Sequence, residues 1–162
     1  MNSSRPHSAK FQVQSLITAI ARNKDYDALP LALSATEWEP LSSYLQPFAL
    51  AQDQVLIEQG AMDRTLYFVE SGTLSVHRDD DGRMSLALVG AGSVLGEGAF
   101  FSSLSRKANA IGSSPCRLWS LTVARFLELA NRQPALALRV ALALGTVLAK
   151  RVENSPRRAA VV

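Results

Sequence analysis

The sequence predicts a mainly β domain of the antiparallel sandwich or barrel class, with helices before it and after it. Five strand-like segments of four to six residues follow one another between Phe48 and Leu121, and glycines separate them at close intervals. Many short strands joined by glycine turns are typical of antiparallel sandwiches and barrels. Both flanks have the pattern of helices, so we divide the chain into an N-terminal helical extension (1–46), a β domain (47–122) and C-terminal helices with a basic tail (123–162).

The N-terminal extension contains two helical segments. Leu16, Ile17 and Ile20 recur at the spacing of one amphipathic helix face. Ser34 and Glu37 then form the pattern of a capping box, in which a serine and a glutamate three residues later satisfy each other's backbone N–H groups. We therefore expect a second helix to begin after Ser34.

The strand-like segments are VLIE (55–58), LYFVE (66–70), TLSVHR (73–78), MSLALV (84–89) and RLWSL (117–121). The third and fourth are separated by three aspartates and Gly82, and the Asp81-Gly82 pair predicts a tight hairpin turn. The aspartates lack the alternating spacing and distal glutamate of a calcium loop, and no His or Cys cluster has metal-ligand spacing, so we expect no metal.

The single cysteine, Cys116, is interpreted as a buried reduced thiol, and the N-terminus lacks the apolar core of a signal peptide. Both features predict a cytoplasmic protein.

The C-terminal region contains two helical segments. The segment after Thr122 ends before Pro134, which favours the first position of a new helix. That last helix is apolar over most of its circumference, with one stripe at Leu136, Val140, Leu144, Leu148 and Val152 and another at Leu138 and Leu142. A helix of this kind needs cover on two sides, which favours packing between the β domain and a second subunit in a symmetric homodimer. A membrane span is disfavoured because Arg139 interrupts an apolar run shorter than the roughly 20 residues that spanning needs.

The net charge of +3 comes from the C-terminal end, where Lys150, Arg151, Arg157 and Arg158 are concentrated. A solvated terminus is the preferred interpretation of this cluster. The alternative is an adaptor that contacts nucleic acid or anionic lipid through its basic tail.

The segment from Gly92 to Ala110, GSVLGEGAFFSSLSRKANA, carries the chemistry of a binding site. A short helix that begins after Gly96 would direct free N–H groups at an anion. Glu97 can accept hydrogen bonds from neutral hydroxyls, and Arg106 offers a planar guanidinium that suits phosphate oxygens. Hydroxyls and one phosphate in a single pocket describe a nucleotide.

The order of these motifs resembles the cyclic nucleotide-binding domain shared by bacterial cAMP receptor proteins, kinase regulatory subunits and gated channels. The resemblance covers Leu41 to Arg151. It rests on Glu58-Gln59-Gly60, Leu66-Tyr67-Phe68 and Ser71-Gly72, followed by Gly96-Glu97-Gly98-Ala99-Phe100, Arg106 and Ala108. The last group is similar to the family's phosphate-binding cassette, and the fold implied is an antiparallel β-roll of the jelly-roll type, a double-stranded β-helix.

The resemblance implies a role for each cassette residue. Glu97 would hold the ribose 2′-hydroxyl, and Arg106 would pair with the cyclic phosphate. Backbone groups around Gly96, Gly98 and Ala99 would add hydrogen bonds, with Lys107 and Ala108 beside the phosphate. The base would be capped by the last helix, for which Thr146, Arg151 and Asn154 are the candidates.

The ligand expected from the resemblance is cAMP, with cGMP or a cyclic dinucleotide as alternatives. Four residues depart from the family's usual pattern, namely Gly98, Ser105, Lys107 and Asn109, and Gly98 and Lys107 could shift the preference toward a more anionic ligand. Only VENSPRRAAVV follows Arg151, so we expect no recognition helix and no direct DNA binding. The interpretation is a non-enzymatic, stand-alone sensor that signals by movement of its C-terminal helices to an unknown effector protein.

Two further alternatives stay open at this point. Glu97 and Arg106 could pair with each other and simply hold a loop shut. The chain could also be a ligand-free scaffold of the same fold that acts through its apolar helix.

Overall fold

The computed structural model describes residues 12–154, apart from the side chains at 83 and 85. Within that range the elements are α1 (Val13–Arg22), α2 (Ala35–Ser42), β1 (Gln46–Leu50), β2 (Val55–Ile57), β3 (Leu66–Ser71), β4 (Leu74–Asp80), β5 (Arg83–Val89), β6 (Val94–Leu95), α3 (Glu97–Ser102), β7 (Asn109–Gly112), β8 (Cys116–Leu121), α4 (Val123–Arg132) and α5 (Pro134–Glu153). The basic residues at 157 and 158 lie outside the described residues.

The strands form two antiparallel four-stranded sheets, with the orders β1-β8-β3-β6 and β2-β7-β4-β5. Apolar side chains from both sheets, among them Ile57, Val69, Val76 and Leu118, form the core inside the roll. The outer face of the first sheet is covered by the helices, where a second core forms around Phe68. The predicted fold class is therefore confirmed, and the helices lie against one side of the roll.

Local sequence signals account for several element boundaries. The Ser34 hydroxyl accepts from the Glu37 N–H at 3.3 Å while the Glu37 carboxylate accepts from the Ser34 N–H at 3.1 Å, so the capping box is confirmed. Thr122 caps α4, and Pro134 is at the start of α5. The hairpin turn is confirmed as well. The last pair of β4 and β5 is Asp80 opposite residue 83, so the turn consists of Asp81 and Gly82, and both have a positive φ.

All five predicted strands are present, with ends that shift by one or two residues. Three further strands, β1, β6 and β7, were not predicted. They are short or contain Pro47, Asn109 or glycine, which have low strand propensity, and pairing with neighbouring strands stabilises them.

Helix α5 buries Leu136, Val140 and Leu144, as its first stripe predicts, but Val152 at the end of that stripe is 58% exposed. Each step of four residues turns the stripe about 40° around a helix of 3.6 residues per turn. By the last turn the buried position has therefore passed to Arg151, which is only 2% exposed. Leu138 and Leu142, the second stripe, are about 60% exposed (59% and 63%). No helix among residues 12–154 is long and apolar enough to cross a membrane.

Candidate functional site

The cassette begins at Gly96, which links β6 to α3. Its φ is +91°, and a Cβ atom at this position would lie 2.6 Å from the Thr65 carbonyl oxygen and 2.7 Å from Arg106 Nη1. Only glycine fits both the left-handed backbone and this close approach. The Phe100 N–H donates to the Gly96 carbonyl at 3.0 Å and closes the first turn of the helix that the sequence predicted here.

Arg106, at the other end of the cassette, is 1% exposed, and its side chain contacts Gly96. Its Nη1 donates to the Gly96 carbonyl at 3.1 Å, and its Nη2 donates to the Thr65 carbonyl at 2.6 Å and to Asp63 Oδ2 at 3.0 Å. Its Nε has no hydrogen-bond partner. The guanidinium therefore joins the two ends of the cassette to the loop between β2 and β3.

Asp63 is the counter-ion of Arg106 and is the more exposed partner, with 46% of its side chain accessible. It also accepts hydrogen bonds from the backbone N–H and the hydroxyl of Thr65, at 3.0 and 2.9 Å. Partial burial acts to raise the pKa of the Asp63 carboxyl, but the hydrogen bonds from Arg106 and Thr65 outweigh it and hold the pKa below its usual value. Asp63 is therefore a carboxylate at neutral pH.

Glu97, the first residue of α3, is fully buried. Its Oε1 lies 2.9 Å from Arg151 Nη1 in α5. The same guanidinium donates to Asp27 Oδ2 from Nε at 2.8 Å and to the Val94 carbonyl from Nη1 at 2.9 Å. Burial raises the pKa of the Glu97 carboxyl, and the charge of Arg151 opposes that shift.

Glu97 and Arg106 therefore do not pair with each other, and the alternative in which their pairing holds a loop shut is wrong. Each has a separate partner, Arg151 and Asp63 respectively. Both residues also carry buried atoms without a hydrogen bond of normal geometry, namely both Glu97 carboxylate oxygens and Arg106 Nε. Among the described residues, these three are the only buried side-chain nitrogen or oxygen atoms in that condition.

The other cassette residues differ in burial. Ala99 and Ala108 are buried, Gly98 is half-buried and Lys107 is exposed. Lys107 lies between two buried residues, so its side chain extends away from the interior that Arg106 occupies. Asn109, one of the departures from the family pattern, accepts from the Gln59 N–H through Oδ1 at 2.9 Å and so joins β7 to the end of β2.

The three candidates for base contact lie along the second half of α5. Thr146 is exposed, and its hydroxyl donates to the Leu142 carbonyl at 3.0 Å. Asn154 is half-buried at the C-cap. Arg151 is enclosed between Glu97 and Asp27.

Sequence reasoning missed the two carboxylates that complete the site, Asp27 and Asp63. Both lie in loops without a motif, and only the folded chain brings them to arginines 124 and 43 residues away. No group of three or more His, Cys, Asp or Glu side chains suited to a metal ion occurs in residues 12–154.

Comparison with known proteins shows the family of the domain that carries these residues. The family model of the cyclic nucleotide-binding domain matches residues 47–133, which is more than half of the chain. The chain belongs to the cyclic nucleotide-binding domain family. The match spans the roll from the second residue of β1 onward, together with the cassette and α4.

Solved structures agree with this assignment. A cyclic nucleotide-binding domain from Methylobacillus flagellatus is similar over 88% of this chain and 79% of its own, with 24% identity and a TM-score of 0.77. The catabolite activator protein of Thermus thermophilus is 28% identical with a TM-score of 0.70, and the match covers 79% of this chain but only 59% of the activator. The c-di-GMP-responsive regulator CLP of Xanthomonas campestris shares the fold at 21% identity, with a TM-score of 0.60 over 76% of this chain and 64% of its own. No curated protein matches the chain by sequence.

Proposed function

We propose that the chain is a regulatory sensor that binds a cyclic nucleotide, with cAMP favoured, between Glu97 and Arg106. The observation that carries this proposal is the distribution of unsatisfied atoms. Buried polar atoms without hydrogen bonds are rare because each is unfavourable by about 1–3 kcal/mol. Here they belong to the two side chains whose counterparts in the family bind ligand. A ligand with an anionic oxygen near Arg106 and a hydroxyl near Glu97 would satisfy them.

The phosphate is proposed to bind Arg106. Its Nε would donate to one phosphate oxygen. Nη2 would give up its hydrogen bond to Asp63 and donate to a second phosphate oxygen. Asp63 is half-exposed, so its carboxylate can turn to solvent when the phosphate arrives. The bidentate geometry of guanidinium and phosphate favours this exchange. Nucleotide entry therefore requires an opening movement at the loop that carries Asp63.

The ribose is proposed to bind Glu97, through a hydrogen bond from its 2′-hydroxyl to the carboxylate. Backbone N–H groups of Gly98 and Ala99 precede the first intrahelical bond of α3 and would add hydrogen bonds to the ribose–phosphate, with Gly96 supplying the turn. Ala108 would pack beneath the phosphate. Lys107 is exposed, so it would contribute only the attraction of its positive charge for the phosphate.

The base specificity is open to test with three ligands. Similar structures are described as belonging to a cyclic-GMP-dependent signalling pathway, as c-di-GMP-responsive and as cAMP-bound. Those descriptions apply to the other proteins. For this chain we favour cAMP, with Thr146, Arg151 and Asn154 as the candidates for base contact when α5 closes over the site.

The signal is proposed to leave the domain through α4 and α5, in a cytoplasmic and non-enzymatic protein. Leu138 and Leu142 are exposed on α5, and a second copy of the helix would cover them in a homodimer. Ligand binding would then change the surface that the dimer offers to an effector protein.

A ligand-free scaffold is the second candidate. The observation that favours it is the burial of both site side chains in ion pairs, since Glu97 is 0% and Arg106 is 1% exposed. A scaffold would form the same dimer without binding any nucleotide.

Titration calorimetry with cAMP, cGMP and c-di-GMP separates the two candidates. The protein is first refolded to remove any nucleotide that co-purifies with it. We expect saturable binding of one ligand, and Arg106→Ala should weaken it by about 2–4 kcal/mol, or about one and a half to three decades in Kd. Arg106→Lys, which keeps the charge but not the planar fork, is the second variant and should lose less.

The matched control is Arg117→Ala. Arg117 also pairs with a carboxylate of the roll, Glu70 at 3.2 Å, but it lies on β8 outside the cassette. Its removal should leave the ligand's Kd unchanged. Absence of heat with all three ligands, in a protein shown to be folded, would favour the scaffold.

A further inference from the structure

Arg64 fastens the cassette helix α3 to the loop of residues 58–65, which joins β2 to β3 and which we call the 58–65 loop. Its Nη2 donates to the Phe100 carbonyl at 2.7 Å, and its Nε donates to the Ala99 carbonyl at 3.4 Å. Both carbonyls belong to α3 and, as in any α-helix, point toward its C-terminal end. Arg64 is half-buried, and the sequence did not mark it as a site residue. Its guanidinium therefore caps the C-terminal end of the cassette helix.

The Phe100 carbonyl has no partner within α3. The last carbonyls of an α-helix lack an intrahelical partner. The Leu104 N–H, which would continue the helical pattern to Phe100, donates to the Ser102 hydroxyl at 3.1 Å instead. Arg64 supplies the missing bond, and its positive charge suits the negative end of the helix dipole. The side chain of Arg64 thus replaces the hydrogen bond that a longer helix would make.

The cassette helix needs contacts of this kind because it has only six residues. A helix of this length is unstable by itself in water. Arg106 holds its N-terminal end through the Gly96 carbonyl at 3.1 Å, and Arg64 holds its C-terminal end. Asp63, the residue before Arg64, pairs with Arg106. Two adjacent residues of the 58–65 loop therefore serve opposite ends of the cassette helix.

We propose that Arg64 is a positioning residue for the nucleotide site: by holding the C-terminal end of α3, it keeps Glu97 and Ala99 where the ligand binds them. The proposal rests on the function proposed above. In that function the phosphate displaces Asp63 from Arg106, whereas the bonds of Arg64 to α3 remain. The helix is about 9 Å long, so Arg64 acts on the ligand through α3 and does not contact it.

Hydrogen exchange and nucleotide binding, measured on the same variant, test this role. The amides of Phe100 and Ser103 donate to the Gly96 and Ala99 carbonyls, so their exchange reports how often α3 opens. In Arg64→Met, without ligand, these two amides should lose most of their protection, while the amides of the roll keep theirs. The Kd, measured by calorimetry with cAMP, cGMP and c-di-GMP, should rise about fivefold because only a fraction of the molecules holds α3 in place.

Two further variants separate positioning from general stability. Arg64→Lys keeps the charge and one donor for the Phe100 carbonyl, so it should recover part of the protection and of the affinity. It also serves as the test if Arg64→Met does not fold. The matched control is Arg78→Met. Arg78 is another half-buried arginine, but its ion pair, at 2.7 Å, is with Asp80 on its own strand β4. It should leave both the exchange of α3 and the Kd unchanged.

The outcomes are distinct. Loss of α3 protection with an unchanged Kd would overturn the positioning role, as would an unchanged α3 in Arg64→Met. Equal loss of protection in α3 and throughout the roll would assign Arg64 to the stability of the whole fold and would also overturn it. Failure of the wild-type protein to bind any of the three ligands would overturn the proposed function itself. Local loss of protection together with weaker binding supports both.

Discussion

The two ends of the cassette are built differently. At one end, Arg106 donates to residues of the roll and its loops, namely Gly96, Thr65 and Asp63. At the other end, Glu97 contacts Arg151 of α5, which also holds Asp27 in the loop of residues 23–28. In the function proposed above, the phosphate would therefore be held by the roll, and the ribose would be connected to α5.

The two ends also differ in charge. Arg106 and Asp63 form a neutral pair whose acid is half-exposed. The Glu97 end combines two carboxyl groups with one guanidinium, all buried, and burial raises the pKa of Glu97. In the proposed function, the Arg106 end would therefore accept the anionic phosphate, whereas the Glu97 end would accept a hydrogen bond from a neutral hydroxyl.

The largest expected effect comes from Gly96, which both ends share. Gly96→Ala combines a strained positive φ with a Cβ 2.6–2.7 Å from Thr65 and Arg106, so it should lower the free energy of unfolding by about 3 kcal/mol and abolish binding. Urea denaturation and calorimetry measure the two effects. The control is Gly82→Ala, which has a similar φ but nothing within 4 Å and should lose only about 1 kcal/mol. Equal losses in the two variants would contradict the close packing of the cassette.

Glu97→Gln should separate binding from stability. It should weaken nucleotide binding by about 2 kcal/mol because a carboxylate accepts a stronger hydrogen bond than an amide. The free energy of unfolding should stay level or rise, because Arg151 retains its ion pair with Asp27 and a neutral amide is less unfavourable to bury than a carboxylate.

The control for this variant is Glu70→Gln, since Glu70 is also buried but has two partners, Trp119 and Arg117. It should lower stability and leave the ligand's Kd unchanged. The reverse pattern, with a large loss of stability only in Glu97→Gln, would show that Glu97 serves the fold and not the ligand.

Asp63→Asn should strengthen nucleotide binding by about 1 kcal/mol, or about fivefold in Kd, because the phosphate no longer competes with a carboxylate for Arg106. The folded-state pKa of Asp63 is held below its unfolded value, so the pair stabilises the protein at neutral pH and loses that effect as the pH falls through the lowered pKa. The stability difference between wild type and variant should therefore shrink below about pH 4. Weaker binding by Asp63→Asn would mean that Asp63 organises Arg106 for the ligand.

The smallest effect is expected for Lys107→Ala. Lys107 is exposed and points away from Arg106, so it contributes only screened charge, and the Kd should rise by less than about threefold. Titrations at two salt concentrations check this, because the small effect should vanish at high salt. A salt-independent loss comparable to that of Arg106→Ala would place the Lys107 side chain at the phosphate.

Local chemistry explains what the sequence could predict. The Ser34 capping box, the Asp81-Gly82 hairpin and the glycine before α3 each depend on a few neighbouring residues, and all three are present. The cassette could be located for the same reason, since its glycines and its two charged residues are close together in the chain.

The partners of those charged residues could not be predicted. Asp27 and Asp63 meet their arginines only after the sheets and helices have packed, and nothing in their own segments marks them. Arg151 reaches a buried position because the helical period departs from four residues, whereas its sequence neighbours suggested a solvated basic end. Tertiary contacts thus decide which polar groups the site contains.

Amide chemical shifts in a nucleotide titration test the central claim most directly. Two-dimensional NMR of the labelled protein with cAMP, cGMP and c-di-GMP would follow the cassette amides, from Gly96 to Ala99, together with the side-chain Nε–H of Arg106. We predict that one ligand moves these signals saturably, with smaller shifts in the last turn of α5. Saturable shifts confined to another surface, such as the groove of about 770 Å³ beside Leu50 and Cys116, would contradict it, as would no shifts with any ligand.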